Sequence, residues 1–269
     1  MYTDAEAAAI CRTWTPTSLA LFYEWVFKAA GFKMPEHMWP VCLALCDSRI
    51  AKLMLIIGPG SSKSQCVSIA YPAWLLGHDP QQTILGISAG EALMQGFQQA
   101  VMDIIEYSEA WKAIWPKIVP DKDAGWSSAR GMFIVGRAPG IPDANYWCGG
   151  LSSRTLPGKH GKLLIIDDIH NDDNSQGEEA IENVVRRYYN TLLGRADPMQ
   201  SRFLIAGRRW HPNDIYGQLS KSEEWVVMTL PAERTGATRL YFDVDVPDHL
   251  ECVFTDGKVH CFDGKIIDA

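Results

Sequence analysis

The sequence predicts an α/β protein of three layers, with a mainly parallel central sheet and a helical lead-in ahead of it. Two observations predict this. From Lys52 onward, short apolar runs bounded by Gly or Asp alternate with stretches of helical period, the pattern of strands joined by crossover helices. Runs such as Leu163-Leu164-Ile165-Ile166 are apolar at every position, which suits a strand covered on both faces.

The elements follow in order. Thr15-Pro16 followed by Leu19, Phe22, Tyr23, Val26 and Phe27 reads as a capped amphipathic helix closed by Gly31. A second helical stretch runs from about Glu36 to Cys46. Strands are expected at Leu53–Ile57, Thr83–Ser88, Met132–Val135, Leu163–Ile166, Arg202–Ala206 and Trp225–Leu230. Pro72 lacks an N–H and predicts a kink or an early end in the helix after the first strand. Before the fifth strand, Ser175 and Glu178 read as a capping box, with Gly194 as the stop. Ala180, Ile181, Val184, Val185, Tyr188 and Leu192 make that helix's buried stripe. After Pro231 the pattern weakens, and Asp243 to Ala269 reads as a small β appendage or a linker. The expected division is a helical lead-in over 1–48, a core over 49–232 and an extension over 233–269.

Composition narrows the class. Hydrophobic residues at 47% and charged residues at 21% fit a globular chain rather than a disordered one. No apolar run approaches the roughly 18 residues a membrane span needs, and the N-terminus has no basic-then-apolar leader. A soluble intracellular protein, neither in the membrane nor secreted, is expected. The seven cysteines form no Cys-x-x-Cys pair, which points to buried thiols in a reducing compartment rather than to zinc. A net charge of −7 counts against a bulk electrostatic grip on DNA. The local basic spots, Lys159-His160 with Lys162, Arg186-Arg187 and Arg208-Arg209, read as solvated faces.

Two motifs carry chemistry. Leu53 to Ile57 runs into Gly58-Pro59-Gly60-Ser61-Ser62-Lys63-Ser64, an apolar strand, a glycine turn and then Lys-Ser at a helix start. A phosphate needs inward backbone N–H groups, a helix N-terminus, a lysine for the outer charge and a hydroxyl for Mg²⁺. Lys63 and Ser64 supply the last two. Ile57 and Ser62 occupy the two glycine positions of the strict G-x-x-x-x-G-K-[ST] pattern, and an ordinary Gly/Ser loop would read the same way. Further on, the strand Leu163–Ile166 ends in Asp167-Asp168. A carboxylate at such a tip can hold magnesium and a second can polarise the attacking water. By order along the strand, Asp167 takes the metal and Asp168 is the general base.

The segment Arg202 to Ile215, with its Arg209-Trp210-His211-Pro212-Asn213-Asp214-Ile215, resembles the strand-plus-"TRWHxxDL" segment of large terminase subunits of tailed phages. The Asp167-Asp168 strand resembles that family's Walker B, and Gly60-Ser61-Ser62-Lys63-Ser64 its Walker A. Phe32-Lys33-Met34-Pro35-Glu36-His37 is similar to the lead-in that borders the adenine, and Leu230-Pro231-Ala232 to the exit from the ATPase core. Together they span about residues 32–232 in the family's order.

The resemblance implies a P-loop NTPase fold of the additional-strand (ASCE) type, using ATP and Mg²⁺. Gly58, Gly60, Ser61, Ser62, Lys63, Ser64, His37 and Arg208 would bind nucleotide, Ser64 and Asp167 the metal. Asp168 and Lys63 would be catalytic. Gly207–Arg209 would fall at the coupling motif, where Arg208 stands in place of the usual threonine. Arg137 and Arg154 are candidate arginine fingers. The implied partners are double-stranded DNA, the portal protein, the small terminase subunit and other copies in a ring, on the procapsid portal in the host cytoplasm. Family members usually carry a further nuclease domain. Asp243, Asp245 and Asp248 do not make such a site, and DNA cutting is expected to be absent from this polypeptide. The alternative is a non-catalytic or helicase-like P-loop module that assembles with a partner.

Overall fold

The computed structural model describes residues 2–128, 131–138, 140–153, 156, 158–196 and 201–230, and the strand backbone at 238–240, 251–255, 258–262 and 266–267. The chain opens with α1 (Asp4–Cys11), α2 (Pro16–Val26) and α3 (Trp39–Cys46). Thr15 caps α2 ahead of Pro16, and Gly31 turns the chain away at φ +74°. The first helix has a capping box of Thr3 with Glu6, a Thr-x-x-Glu signal that the sequence reading passed over.

Next come β1 (Lys52–Ile57), α4 (Tyr71–His78), β2 (Ile84–Ser88), α5 (Glu91–Tyr107) and α6 (Glu109–Ile114). They are followed by β3 (Trp126–Ser127), β4 (Gly131–Met132), β5 (Tyr146–Gly150), β6 (Leu163–Asp167) and α7 (Glu178–Arg187). The sheet is completed by β7 (Arg202–Gly207) and, after α8 (Ile215–Leu219), β8 (Val226–Leu230). The eight strands lie in the order β3-β4-β5-β2-β6-β7-β1-β8. The six from β5 to β8 are parallel, and β3 and β4 form an antiparallel edge. A separate antiparallel sheet holds β9 (Thr238–Leu240), β10 (Glu251–Thr255), β11 (Lys258–Phe262) and β12 (Ile266–Ile267). Asp243, Asp245 and Asp248 lie outside the described residues.

Because strand side chains alternate, the parallel strands feed two cores. Leu53, Leu55, Ile165 and Leu204 pack with the helices before α7, including α4 and α5. Met54, Leu164, Ile166 and Ile205 pack instead with Val184 of α7 and with Ile215, Tyr216 and Leu219 of α8. The result is helix, sheet, helix. None of the described helices is long and apolar enough to cross a membrane. Described thiols are free, and burial pushes those of Cys11 and Cys46 up to about 12.

Four local expectations need correction. Pro72 does not end its helix early: Gln65–Ala70 widen into a π-helical turn and the chain runs on as α4 to His78. The carbonyl of Ser68, four residues before Pro72 and so without its usual α-helical donor, accepts from the Tyr146 hydroxyl at 3.2 Å. Ser175 does not cap α7. Gly177 precedes that helix at φ +88° with no side-chain cap, and the Ser175 hydroxyl turns to His170. Gly194 lies within the 3₁₀ turn Leu193–Arg195 instead of closing the helix, and the chain leaves it through an extended Ala196. The expected strand Met132–Val135 shrinks to β4 plus one bridge at Ile134, while β5 was not expected. Its Tyr-Trp-Cys-Gly-Gly string lacks β-branched residues. A Cβ on Gly150 would stand 3.0 Å from the Glu91 backbone nitrogen, so close packing rather than β propensity selects glycine there.

Gly77 in α4 is covered by the Trp115 ring, 2.5 Å from where its Cβ would be. Helix propensity alone would make Gly77→Ala stabilising, whereas this contact predicts a loss of about 1–3 kcal/mol. Urea unfolding decides the sign.

Candidate functional site

The site is built at the carboxyl ends of β1, β7 and β6, which are neighbours in that order. After β1 the chain turns through Gly58 to Ser62 and resumes helix at Lys63. Gly60 has φ +76° and Ser62 has φ +61°. Ser62 stands where the strict phosphate-loop pattern has glycine, and its backbone adopts the left-handed conformation glycine would have supplied. The Ser61 hydroxyl donates to Gly58 O at 2.8 Å, closing the turn. From the N-terminal helical layer, His37 Nε2 lies 2.9 Å from Ser61 O and must carry a proton to donate there.

Lys63 reaches across the sheet end to the tip of β6. Its Nζ lies 3.1 Å from Asp167 Oδ1 and 2.6 Å from Asp168 Oδ2. Asp167 has no exposed surface, and its other oxygen accepts from the Ser68 hydroxyl at 2.7 Å. Ser68 is itself fully buried, on the π-helical turn that precedes Pro72. Asp168 is partly open to solvent and holds φ +46°, its N–H bonded to Ala206 O at 2.9 Å and its carbonyl to the Ala89 N–H at 3.2 Å. Burial drives the Asp168 carboxyl above its ordinary range despite the opposing pull of Lys63. Burial draws the Lys63 ammonium down, but Asp167 and Asp168 together outweigh it, so the lysine stays charged.

The segment after β7 stands between these two tips. Gly207 leaves no room for a side chain, since a Cβ would fall 1.9 Å from the Tyr216 hydroxyl. Arg208 is exposed, stacks over the Trp210 ring at 4.0 Å, and its charge pulls the Asp168 carboxyl down. The next turns fold around one fully buried carboxylate. Asp214 accepts from the backbone N–H groups of Trp210, His211 and Gly217, at 2.8, 3.2 and 2.7 Å, and pairs with Arg209 Nε at 3.0 Å. It thereby caps α8 and fixes the Arg209-Trp210-His211 turn. Buried His170 accepts the Ile215 N–H on Nε2 at 3.2 Å, which leaves its proton on Nδ1 facing the Ser175 hydroxyl at 3.3 Å. Burial lowers its pKa.

The structure therefore gathers Gly58, Gly60, Ser61, Ser62, Lys63, Ser64, His37, Asp167, Asp168 and Arg208 at the carboxyl end of the sheet. Arg137 is not among them. Its guanidinium donates to Ile141 O at 2.6 Å and to Asp143 O, and it lies over Phe133. Those partners precede β5, and the neighbouring Gly136 carbonyl is bonded by Gln81, which precedes β2. That is the amino end of the strands, roughly 16 Å from the tips for five-residue strands. Within one chain, Arg137 is no finger for this cluster. Arg154 lies outside the described residues. Ser68 and His170 are polar groups that the sequence reading missed, and Asp214 was quoted only as part of the Arg209–Ile215 string, with no role given to it. Only Asp214 had a usable signal, as an N-cap before Ile215.

Ser64 lies beside Lys63, its hydroxyl 3.5 Å from the lysine Nζ. With Asp167 it offers hard oxygen donors that fit magnesium. Among the described residues no group of three or more His, Cys, Asp or Glu side chains could hold a metal alone. Comparison with known protein families and with curated proteins gives no match for this chain.

Two outcomes follow. Ser62→Gly relieves a left-handed serine and is expected to stabilise the protein by about 0.5–1 kcal/mol in chemical denaturation. His170 and His78 are both depressed by burial below the ordinary 6.5. The stability of their neutral rings is thus fully present above that pH and lost as pH falls through the folded-state values. NMR titration of the imidazoles should find both below 6.5, with the urea midpoint dropping as pH falls. A His170 that titrates at or above 6.5 contradicts the burial argument.

Proposed function

We propose that this chain is the ATP-hydrolysing motor domain of a viral terminase large subunit, which moves double-stranded DNA into a procapsid. One observation carries the reading: the Lys63 ammonium bridges Asp167 and Asp168 across the tip of an intervening strand. A lysine at a glycine-turned helix start and two acids at a strand end are the parts a nucleoside triphosphate and its magnesium require. The backbone N–H groups of Gly60 to Ser64 would cradle phosphate, and Lys63 would follow the charge on the outer phosphates. Ser64 and Asp167 would hold Mg²⁺, which supplies charge neutralisation on the transferring oxygens when bound. Asp168 has a raised carboxyl and partial exposure. It would orient the attacking water and accept its proton.

The strand order supports the additional-strand P-loop class, because β7 stands between the loop strand β1 and the acidic strand β6. It also supports the terminase reading. The Gly207–Arg209 segment lies at the tip of that inserted strand, beside both halves of the cluster, where a device coupling phosphate loss to motion would have to stand. His37 against the loop fits the adenine-side lead-in. In this reading the partners are DNA, portal, small subunit and further copies in a ring, and a finger arginine would come from a neighbouring copy.

A nucleotide-binding module without turnover is the second reading. It is favoured by Lys63 already pairing with both Asp167 and Asp168, so that the lysine is engaged without a phosphate. Calorimetry with a non-hydrolysable ATP analogue, followed by phosphate-release assays with Mg²⁺, separates the two. The motor reading expects binding, turnover, and a loss of about 10²–10³-fold in rate for Lys63→Ala and for Asp168→Asn. Binding without turnover supports the module, and unchanged turnover in Lys63→Ala removes the site.

A further inference from the structure

In an open parallel sheet, ligands settle at carboxyl ends where the helices leaving two neighbouring strands diverge to opposite faces. This sheet has two such points. The helices after β1 and β2 pack on one face, through Trp74 of α4 and Val101 of α5. Those after β6 and β7 pack on the other, through Val184 and Ile215. Divergence therefore occurs between β1 and β7, where the Lys63 cluster lies, and again between β2 and β6. At the second point is a cleft of about 460 Å³, walled by Ala89 after β2, Ser152 after β5, Asn171 after β6 and one side of α7. Its size suits a small ligand or one segment of a larger one.

The lining reverses the sign of the protein. Against a chain charge of −7, Arg186 and Arg187 face Asp173 as the one acid of the wall. Both arginines are exposed and neither forms an ion pair among the described residues. Each is steadied by the wall, Arg186 donating to Asn183 Oδ1 and Arg187 to Leu151 O at 3.5 Å, with further donors to spare. Two oriented guanidiniums with amides and a hydroxyl match phosphate oxygens.

We propose that this cleft is a second ligand site, taking a phosphate group either on a free phosphorylated compound or in a nucleic-acid backbone. It uses none of the groups of the Lys63 cluster and does not depend on the ATPase reading. The test titrates pyrophosphate and a short single-stranded deoxyoligonucleotide, by calorimetry, into wild type, Arg186→Ala/Arg187→Ala, and Lys112→Ala/Lys117→Ala. The last pair removes equal charge from exposed positions in the opposite helical layer. Affinity for at least one probe should fall about tenfold or more in the arginine variant and stay within about twofold of wild type in the lysine variant. The unfolding midpoint and the binding of a non-hydrolysable ATP analogue should not change in either. A loss confined to pyrophosphate identifies a free phosphorylated ligand, and one confined to the oligonucleotide identifies a backbone. Equal affinities in wild type and the arginine variant, or equal losses in the two variants, overturn the proposal.

Discussion

A buried ammonium held between two carboxylates governs the architecture at the carboxyl end of this sheet. Removing one partner from such a group leaves an uncompensated charge, at a cost of several kcal/mol. The loop after β1, the helix it opens and the tip of β6 are therefore tied to one another, although β1 and β6 are not neighbours. The tie has to cross β7. At that level Asp167 pairs in register with Ala206, which pairs with Leu55, and Ala206 and Leu55 face the helical layer from which Lys63 comes. A methyl group there leaves the lysine room. A long side chain at 206 would stand in its path, so the smallness of β7 at its tip belongs to the same constraint as the ion triad.

The partners of Asp167 show why a helix interior contains a proline. In an ordinary α-helix, Pro72 would clash with the Ser68 carbonyl and leave it without a donor. The π-helical turn over Gln65–Ala70 absorbs that conflict, the Tyr146 hydroxyl satisfies the Ser68 carbonyl, and the Ser68 hydroxyl donates to Asp167 Oδ2. π-Turns are uncommon and often mark functional sites. Here the local fault and the placement of the acid have one cause.

Legibility in the sequence divides along the same lines. Lys63-Ser64 and Asp167-Asp168 could be read because each is a local string at the end of an apolar run, and their convergence follows from strand order. The two helical layers could be read from runs apolar on both faces. Ser68 could not, since its partner lies 99 residues away and its direction depends on a π-turn. Nor could β5, whose Gly150 answers to packing against the start of α5 and whose Gly149 answers to the Trp147 ring. Ser175 misled because a capping-box spacing fits equally a serine that serves a buried histidine. Arg137 misled because nearness in sequence to the acidic strand says nothing about which end of the sheet a residue occupies.

Among the described residues, Ser62 and Asp168 are the non-glycine positions with left-handed backbone. They flank the triad, one preceding Lys63 and one contributing a carboxylate. Such conformations cost about 1–3 kcal/mol each and persist where surrounding contacts over-determine them. Asp168 meets that condition, since its N–H is bound by β7, its carbonyl by Ala89 and its side chain by Lys63. The strain lies where geometry is fixed from three directions. Ala89 also lines the cleft between β2 and β6. The backbone that positions the outer acid is thus a wall common to both divergence points.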